Sequence, residues 1–397
     1  MRVRHLGCIL TVSLASAAGA AAATAPPPVF NSIEIRSLVG PQGNVTAAGL
    51  NDHGDVTGTS QYPPGSSNPS GPFVYYHASG VELALNGFGI GGINDSGKIA
   101  GEVVSLSTGP EAVVWSKNGG EQILPSNNIF AEANAINNGG DIAGDIDNGH
   151  ADNFAVMWSP RPTLHLIPIG VLWSFPTDSS DATSTAAAIN SHSHVTGSST
   201  AGEGTDPNTA VGFGLHAYLY RSGKMTDLGA LALSKDGSDD SEGAGINNLD
   251  QVVGISTTAI PAKNSQGQAC PDCGVASHAF LWNAGKMKDL GNLASIPGWD
   301  SKANSINDAG EIVGWSDSNV NGTSTHRAFL YVGGQMLNLQ FYIFDRDPNV
   351  RLTEAVGINC QGWIVANGYN IKSPDVSRVY LLIRRGAPRP QCTLSQL

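Results

Sequence analysis

An acidic cluster in the second half of the chain contains the residue types of a calcium site. It comprises Asp236, Asp239, Asp240 and Glu242, whose carboxylate oxygens are the hard ligands that calcium prefers. The cluster lacks the Asp-x-Asp-x-Asp-Gly order of a calcium-binding loop, so a solvated polar loop is the preferred interpretation. No cofactor is therefore predicted, and calcium is kept as the alternative.

Three tryptophans lie in or beside segments that the sequence pattern assigns to loops. An exposed tryptophan can stack on a sugar ring or anchor a protein partner. The alternative for each is a packed ring that fills a gap between structural units. The predicted ligand-binding residues are Trp173, Trp299, Asp300, Trp315, Asp239 and Asp240.

No catalytic residue is predicted. His216 and His278 recur at one position of a repeat, as do Asp227 and Asp289, and such recurrence argues for a structural hydrogen bond. The sequence contains neither a Gly-x-Ser-x-Gly elbow nor a His-Glu-x-x-His motif. Paired carboxylates that cleave a glycosidic bond are recognised by their separation in space. A polysaccharide-cleaving enzyme therefore stays the alternative to a binding protein.

Four cysteines follow the N-terminal segment: Cys270, Cys273, Cys360 and Cys392. An even number in an exported chain suggests two disulfides. Cys270 and Cys273 would close a local loop, and a bond between Cys360 and Cys392 would fix the C-terminus. The alternative for the Cys-x-x-Cys pair is a redox or zinc site, although no second pair accompanies it.

These candidate residues are distributed over a repeat that occurs seven times. Each copy has a small residue, Ile or Leu, Asn, two variable residues, usually Gly, one variable residue, and Val or Ile. The copies begin at Leu50-Asn51, Ile93-Asn94, Ile136-Asn137, Ile189-Asn190, Ile246-Asn247, Ile306-Asn307 and Ile358-Asn359. A period of this length is typical of propellers and solenoids.

The chemistry of the repeat predicts a hairpin turn. Asn favours the first position of a type I turn, and a later Gly suits the left-handed position of a G1 bulge. Asp250 and Ser193 take this place in the fifth and fourth copies, Ser193 being the least favourable residue for it. The predicted left-handed glycines are Gly54, Gly97, Gly139, Gly310 and Gly362.

Four strands in each of seven units predict an all-β, seven-bladed β-propeller of four-stranded antiparallel blades. A third strand, such as 278–282, and a fourth, such as 286–291, follow each turn. The N-terminal strand 32–38 has no partners of its own, and the last strand, 379–383, lacks a fourth. We predict that the two join in the C-terminal blade and close the ring. An open β-solenoid is the alternative.

The motifs His278-Ala-Phe-Leu-Trp282, Gly285-x-Met-x-Asp-Leu-Gly291 and Ala303-x-x-Ile-Asn-x-x-Gly-x-Ile-Val-Gly-Trp-Ser316 resemble the extracellular HAF-repeat family. The resemblance covers almost all of residues 32–383 and is sharpest in 211–331. It implies an exported, propeller-like repeat protein. It implies no established activity and brings no catalytic residues.

The N-terminus has the pattern of an export signal. Arg2 and Arg4 precede an apolar, alanine-rich stretch, and Ala21-Ala-Ala23 offers a small-x-small cleavage site. The predicted division is a signal peptide at 1–23, a Pro-rich linker at 24–31, the propeller at 32–385 and a tail at 386–397. We expect the protein to be secreted or periplasmic, without membrane insertion, because no later apolar run has 18 residues.

Charge and loop length point to the kind of partner and to its location. The formal net charge of −12 argues against nucleic acid, which needs a basic surface. Long loops on a rigid scaffold usually carry binding. We predict a polysaccharide or protein ligand on the face that holds the second-to-third and fourth-to-first connections, near blades four to six and the channel mouth. The longest of these connections are 168–186, 198–215, 230–243, 256–277, 291–302 and 316–327.

Overall fold

The structure is a computed structural model. It describes residues 26–61, 71–85, 87–105, 109–117, 120–126, 130–147, 153–172, 182–201, 214–232, 239–270, 273–294, 296–320, 323–387 and 389. The predicted signal peptide lies outside these residues. The described residues include one short 3-10 helix, Leu339–Phe341, and no helix long and apolar enough to span a membrane.

The predicted seven-bladed propeller is confirmed, because the strands form seven separate four-stranded antiparallel sheets. Blades 1 to 3 comprise β2 Asn44–Leu50, β3 Val56–Gln61, β4 Gly71–Tyr76 and β5 Val81–Ala84; β6 Gly89–Ile93, β7 Ile99–Ser105, β8 Gly109–Trp115 and β9 Glu121–Ile123; and β10 Ala131–Ile136, β11 Ile142–Asp147, β12 Asn153–Ser159 and β13 His165–Gly170.

Blades 4 to 6 repeat the same order. They comprise β14 Ser184–Ile189, β15 Val195–Ala201, β16 Gly214–Arg221 and β17 Lys224–Asp227; β18 Ser241–Ile246, β19 Val252–Pro261, β20 Val275–Asn283 and β21 Lys286–Asp289; and β22 Ser301–Ile306, β23 Ile312–Val320, β24 Thr323–Val332 and β25 Gln335–Asn338. Blade 7 comprises β26 Val350–Ile358, β27 Ile364–Asn370, β28 Ser373–Arg384 and β1 Phe30–Ile35.

The first strand closes the ring, as predicted. β1 pairs antiparallel with β28, from Phe30 opposite Arg384 to Ile35 opposite Val379. The predicted bounds of β1, 32–38, were wrong by two to three residues, because the ladder with β28 begins at Phe30 and ends at Ile35. β28 is also longer than predicted, because its first half extends the hairpin with β27.

The Asn turns have the predicted geometry in all seven copies. In the first, Gly54 N–H donates to Asn51 O at 3.1 Å, and Gly54 has a φ of 82°. Ser193 and Asp250 also have positive φ, 62° and 57°. The prediction for Gly139 was wrong: Gly140, three residues after Asn137, has the positive φ of 85°. The sequence has two adjacent glycines there, and the turn uses the second.

The core is divided among the contacts between blades. Each of the seven buried apolar clusters combines side chains from two neighbouring blades. In one of them, Val253 and Ala279 of blade 5 pack against Ile312 and Phe329 of blade 6. Adjacent blades therefore depend on each other for burial, which explains why the chain needs a closed ring.

The first strand of every blade lies next to the axis and contacts the first strands of both neighbours. The small residue before each Ile or Leu permits this approach. A side chain at Gly245, for example, would place its Cβ 3.0 Å from the backbone oxygen of Asn304 in the next blade. The seven first strands thus enclose a narrow central channel with one mouth on each face.

Candidate functional site: the central channel

A ring of seven asparagine amides surrounds one mouth of the channel, on the face that carries the Asn turns. Each Nδ2 donates to the backbone oxygen of the corresponding Asn in the next blade. In chain order the seven donors are Asn51, Asn94, Asn137, Asn190, Asn247, Asn307 and Asn359, with distances from 3.0 to 3.2 Å, and Asn359 donates to Asn51. We call this closed set of inter-blade hydrogen bonds the Asn ring.

The same asparagines also hold their own turns. Oδ1 of Asn307 accepts the N–H groups of Ala309 and Glu311, both at 3.1 Å. All seven asparagines are buried. Because each amide is occupied by backbone partners, the Asn ring is a structural feature and offers little to a ligand.

The residue after each Asn lines a cavity of about 310 Å³ at this mouth. It is Asp52, Asp95 or Asp308 in three blades, and its side chain accepts a backbone N–H from the neighbouring turn, at 2.8 Å in each case. Asn138 and Asn248 accept the same kind of bond. Burial raises the pKa of Asp52, and the charges of Asp95 and Asp308 add to that rise.

The opposite mouth, on the loop-rich face, has a different composition. Its side chains come from the position four residues before each Ile or Leu, which we call the channel position. The seven residues there are Thr46, Gly89, Glu132, Thr185, Glu242, Lys302 and Glu354. Four of them line a cavity of about 340 Å³ inside the channel, and Gly89 and Glu132 line another of about 200 Å³.

The channel position carries four charges, three of them negative. Lys302 Nζ lies 3.2 Å from Glu242 Oε2, and Asn304 donates to Glu354 Oε1 at 2.9 Å. Glu132 is exposed and has no hydrogen-bond or ion-pair partner among the described residues. The mouth therefore combines three carboxylates with one ammonium group, which can bond polar ligand atoms, whereas the Asn304 amide already donates to Glu354 Oε1 and Ala355 O.

Two further carboxyl groups stand beside Glu132. Glu102 pairs in register with Gly89 and lines the 200 Å³ cavity, and Asp145 pairs in register with Glu132. Burial, reinforced by the charge of Glu132, raises the pKa of Glu102 to about 7. Burial also raises the pKa of Asp145 to about 7. The hydrogen bonds from Ala186 N–H and Asn134 favour the carboxylate and offset only part of this rise.

Three of the predicted ligand-binding residues, Trp299, Asp300 and Trp315, lie together at the loop-rich end of blade 6. Trp315 is half-buried, pairs in register with Lys302, and stacks on His326 with 4.2 Å between ring centroids. Asp300 N–H donates to Asp317 at 3.1 Å. Trp315 therefore adjoins the channel position.

Trp299 is a packed structural residue, which was the alternative to ligand binding. Its side chain is 2% exposed, and its Nε1 donates to Asn264 O at 3.0 Å. The ring thus secures the 262–274 loop and has no free face for a ligand. Trp173 lies outside the described residues.

The predicted acidic cluster does not converge on one point within the described residues. Asp239 is 1% exposed and lies 3.8 Å from His216 Nε2, whereas Asp240 accepts Leu215 N–H at 2.9 Å. Glu242 turns instead into the channel. Asp236 lies outside the described residues, so calcium binding stays the untested alternative.

The disulfide between Cys270 and Cys273 is confirmed. Cys360 is disulfide-bonded as well, and Cys392, its predicted partner, lies outside the described residues. Cys360 contributes to the mouth that carries the Asn ring. Arg389 of the tail donates to the buried carboxylate of Glu311 beside the same mouth.

Known proteins are similar to this chain in fold. No family model and no curated protein matches the sequence. The β-propeller domain of the trilobed protease from Pyrococcus furiosus matches 87% of this chain and 94% of its own, with a TM-score of 0.53 and 8% identity. That likeness shows the propeller fold alone. The domain is described as having an open velcro topology, whereas β1 closes the ring here.

Two other solved structures have lower scores and add nothing to the argument. The acylaminoacyl peptidase from Pyrococcus horikoshii is 10% identical, with a TM-score of 0.49 over 89% of this chain and about half, 54%, of that chain. A polysaccharide lyase described as an ulvan lyase is 11% identical, with a TM-score of 0.41 over 93% of this chain and 98% of its own.

Proposed function

We propose that this chain is an exported binding protein whose saccharide ligand enters the loop-rich mouth of the channel. The observation that carries the proposal is the contrast between the two mouths. The Asn ring repeats identically in seven blades because each copy has the same structural task. The channel position holds four different residue types, Thr, Gly, Glu and Lys, so no shared structural requirement explains its charges.

The composition of the channel position favours a saccharide. Carboxylates and an ammonium group can share hydrogen bonds with a dense set of sugar hydroxyls. Trp315 adds an apolar ring next to Lys302. Three carboxylates against one ammonium favour a neutral or amine-bearing sugar over a polyuronate, because like charges repel.

Export is part of the same proposal. It is supported by the signal-like N-terminus, by the disulfide of the 262–274 loop and by the resemblance of the repeats to the extracellular HAF-repeat family. Protein recovered from culture medium or periplasm should begin at Thr24 on N-terminal sequencing; a protein found only in the cytoplasm, with Met1 retained, would contradict export.

A glycan array tests the proposed ligand class. We expect the purified protein to bind neutral and glucosamine-containing oligosaccharides, and to bind oligogalacturonate or oligoalginate at least about tenfold more weakly. Stronger binding to the uronates would contradict the proposed role of the acidic mouth. An array on which nothing binds would contradict the saccharide proposal itself.

The carboxyl pair beside blade 2 favours a second candidate function, hydrolysis of a glycosidic bond. Glu102, protonated near neutral pH, could donate a proton to the departing sugar oxygen, while the carboxylate of Glu132 accepts a proton from the attacking water. Both groups line one cavity, as an acid and a base must.

Reducing-end release from the oligosaccharides that bind the array tests this candidate. If the pair is catalytic, Glu102→Gln should lower the rate by at least about 100-fold while leaving binding within about threefold. Glu34→Gln, on the outermost strand of blade 7, serves as the control that should retain the rate. No release by the wild type would eliminate hydrolysis and leave the binding function.

A further inference from the structure

A cavity of about 540 Å³ with both apolar and polar lining residues lies between blades 5 and 6, away from the channel. Its lining includes Ile260, Leu293, Pro297, Met336 and Leu337. A second, apolar cavity of about 400 Å³ shares Ile260 and Pro297 with it and reaches Cys270 of the disulfide loop. The two cavities are neighbours on either side of Ile260 and Pro297, and we call them the cleft; the larger one has room for a small organic molecule.

One buried polar atom in this cleft lacks a partner. His278 lines the larger cavity and is 3% exposed. Its Nδ1 lies 2.9 Å from Asp289, but its Nε2 has no hydrogen-bond partner among the described residues. With the proton held on Nδ1 by Asp289, Nε2 is an acceptor that needs a donor. A buried acceptor without one costs free energy, so a ligand that supplies a donor would be favoured.

Blade 4 contains the same His–Asp pair in a different setting. His216 Nδ1 lies 2.9 Å from Asp227, and its Nε2 faces the carboxylate of Asp239 at 3.8 Å. Burial opposes a charge on His216, but the hydrogen bond and charge of Asp227 and the charge of Asp239 outweigh it and raise the pKa. In the next repeat Trp299 replaces Asp239, so no carboxylate takes the place of Asp239 beside His278 Nε2, although the charges of His278 and Asp300 interact.

We propose that the cleft between blades 5 and 6 binds a small, largely apolar molecule that carries a hydroxyl group. The hydroxyl donates to His278 Nε2, and the apolar body lies along Ile260 and Pro297. The hydrogen-bonded His–Asp pair is shared by two blades and serves the fold, and Nε2 has no hydrogen-bond partner among the described residues in either blade. What distinguishes blade 5 is that His278 lines this cavity. This site is independent of the proposed saccharide site.

Binding of 4-butylphenol, with butylbenzene as the probe that lacks the hydroxyl, tests the proposal by titration calorimetry. We expect saturable binding of the phenol and at least about tenfold weaker binding of the hydrocarbon. His278→Phe should remove this preference. His216→Phe, which removes the equivalent His–Asp hydrogen bond in blade 4, should change the phenol affinity by no more than about threefold.

Wild-type protein with ¹⁵N-labelled histidine provides a second readout, in which a variant serves only to assign the resonance. We expect 4-butylphenol to shift the Nε2 resonance of one histidine, the one that is absent from the spectrum of His278→Phe. Absence of saturable binding, equal affinity for the two probes, or an equal loss of affinity in His216→Phe would each overturn the proposal. A titration that moves no histidine resonance would overturn it as well.

Discussion

Replacing Asn307 with alanine is expected to lower the free energy of unfolding by about 3 kcal/mol, because several buried polar groups lose their partners at once. The side chain accepts two N–H groups of its own turn and donates to Asn359 O at 3.2 Å and to Glu311 Oε2 at 3.0 Å. Alanine leaves these groups unpaired in a buried site. Equilibrium urea denaturation measures the loss.

The chain contains a matched control for this substitution. Asn264 begins an exposed turn with the same internal bonds, in which Oδ1 accepts Gln266 and Gln268 N–H and Gly267 has a φ of 72°. Its amide donates to Gln268 within the loop, and not to another blade. Asn264→Ala should therefore cost no more than about 1 kcal/mol. Equal losses for the two variants would show that the inter-blade bond adds nothing.

Glu102→Gln is expected to make the protein more stable than the wild type at pH 8. Burial and the charge of Glu132 raise the pKa of Glu102 from 4.5 to about 7 in the folded state. The contribution of Glu102 to the free energy of unfolding is therefore fully present below pH 4.5 and is lost as the pH rises from there through about 7. The difference corresponds to about 3 kcal/mol, since one pKa unit equals about 1.4 kcal/mol. Glutamine, which never ionises, avoids that loss.

Denaturation midpoints at pH 4 and pH 8 test this expectation. The variant and the wild type should have similar stability at pH 4 and should separate at pH 8. Glu132→Gln is the control for the part of the pKa rise that is due to charge. Removing that charge should reduce the stability that the protein loses between pH 4 and pH 8 without abolishing the loss. A wild type whose stability is unchanged by Glu102→Gln at both pH values would contradict the raised pKa.

The fold was predictable because the sequence features that determine it are local and occur in seven copies. An Asn turn with a left-handed residue needs only neighbouring residues, and seven copies leave little choice of architecture. The unpaired strands at the two ends then required closure. The finer errors arose where several residues fit one local rule, as with Gly139 and Gly140, or where a ladder with a distant strand determined the bounds of β1.

The channel was not predictable in the same way, because it depends on which side chains seven separate strands bring to one axis. The turn role of Asn was predictable from the sequence, but the Asn ring was not predicted. The invariance of Asn was an available signal, since Asp or Ser also begins type I turns but has no amide to donate. The channel position is not filled by one residue type in all blades. Its charges can therefore be recognised as a group only when the register of the blades is known.

The difference between the two mouths is the central claim, and matched charge removal tests it most directly. Glu132→Gln with Glu242→Gln removes two charges from the loop-rich mouth. Asp52→Asn with Asp308→Asn removes two from the opposite mouth, where Asn138 and Asn248 already make the equivalent bonds. We predict that the first pair weakens binding of the array-selected oligosaccharide by about tenfold or more, and that the second changes it by less than about threefold. Weaker binding caused by the second pair alone would contradict the account.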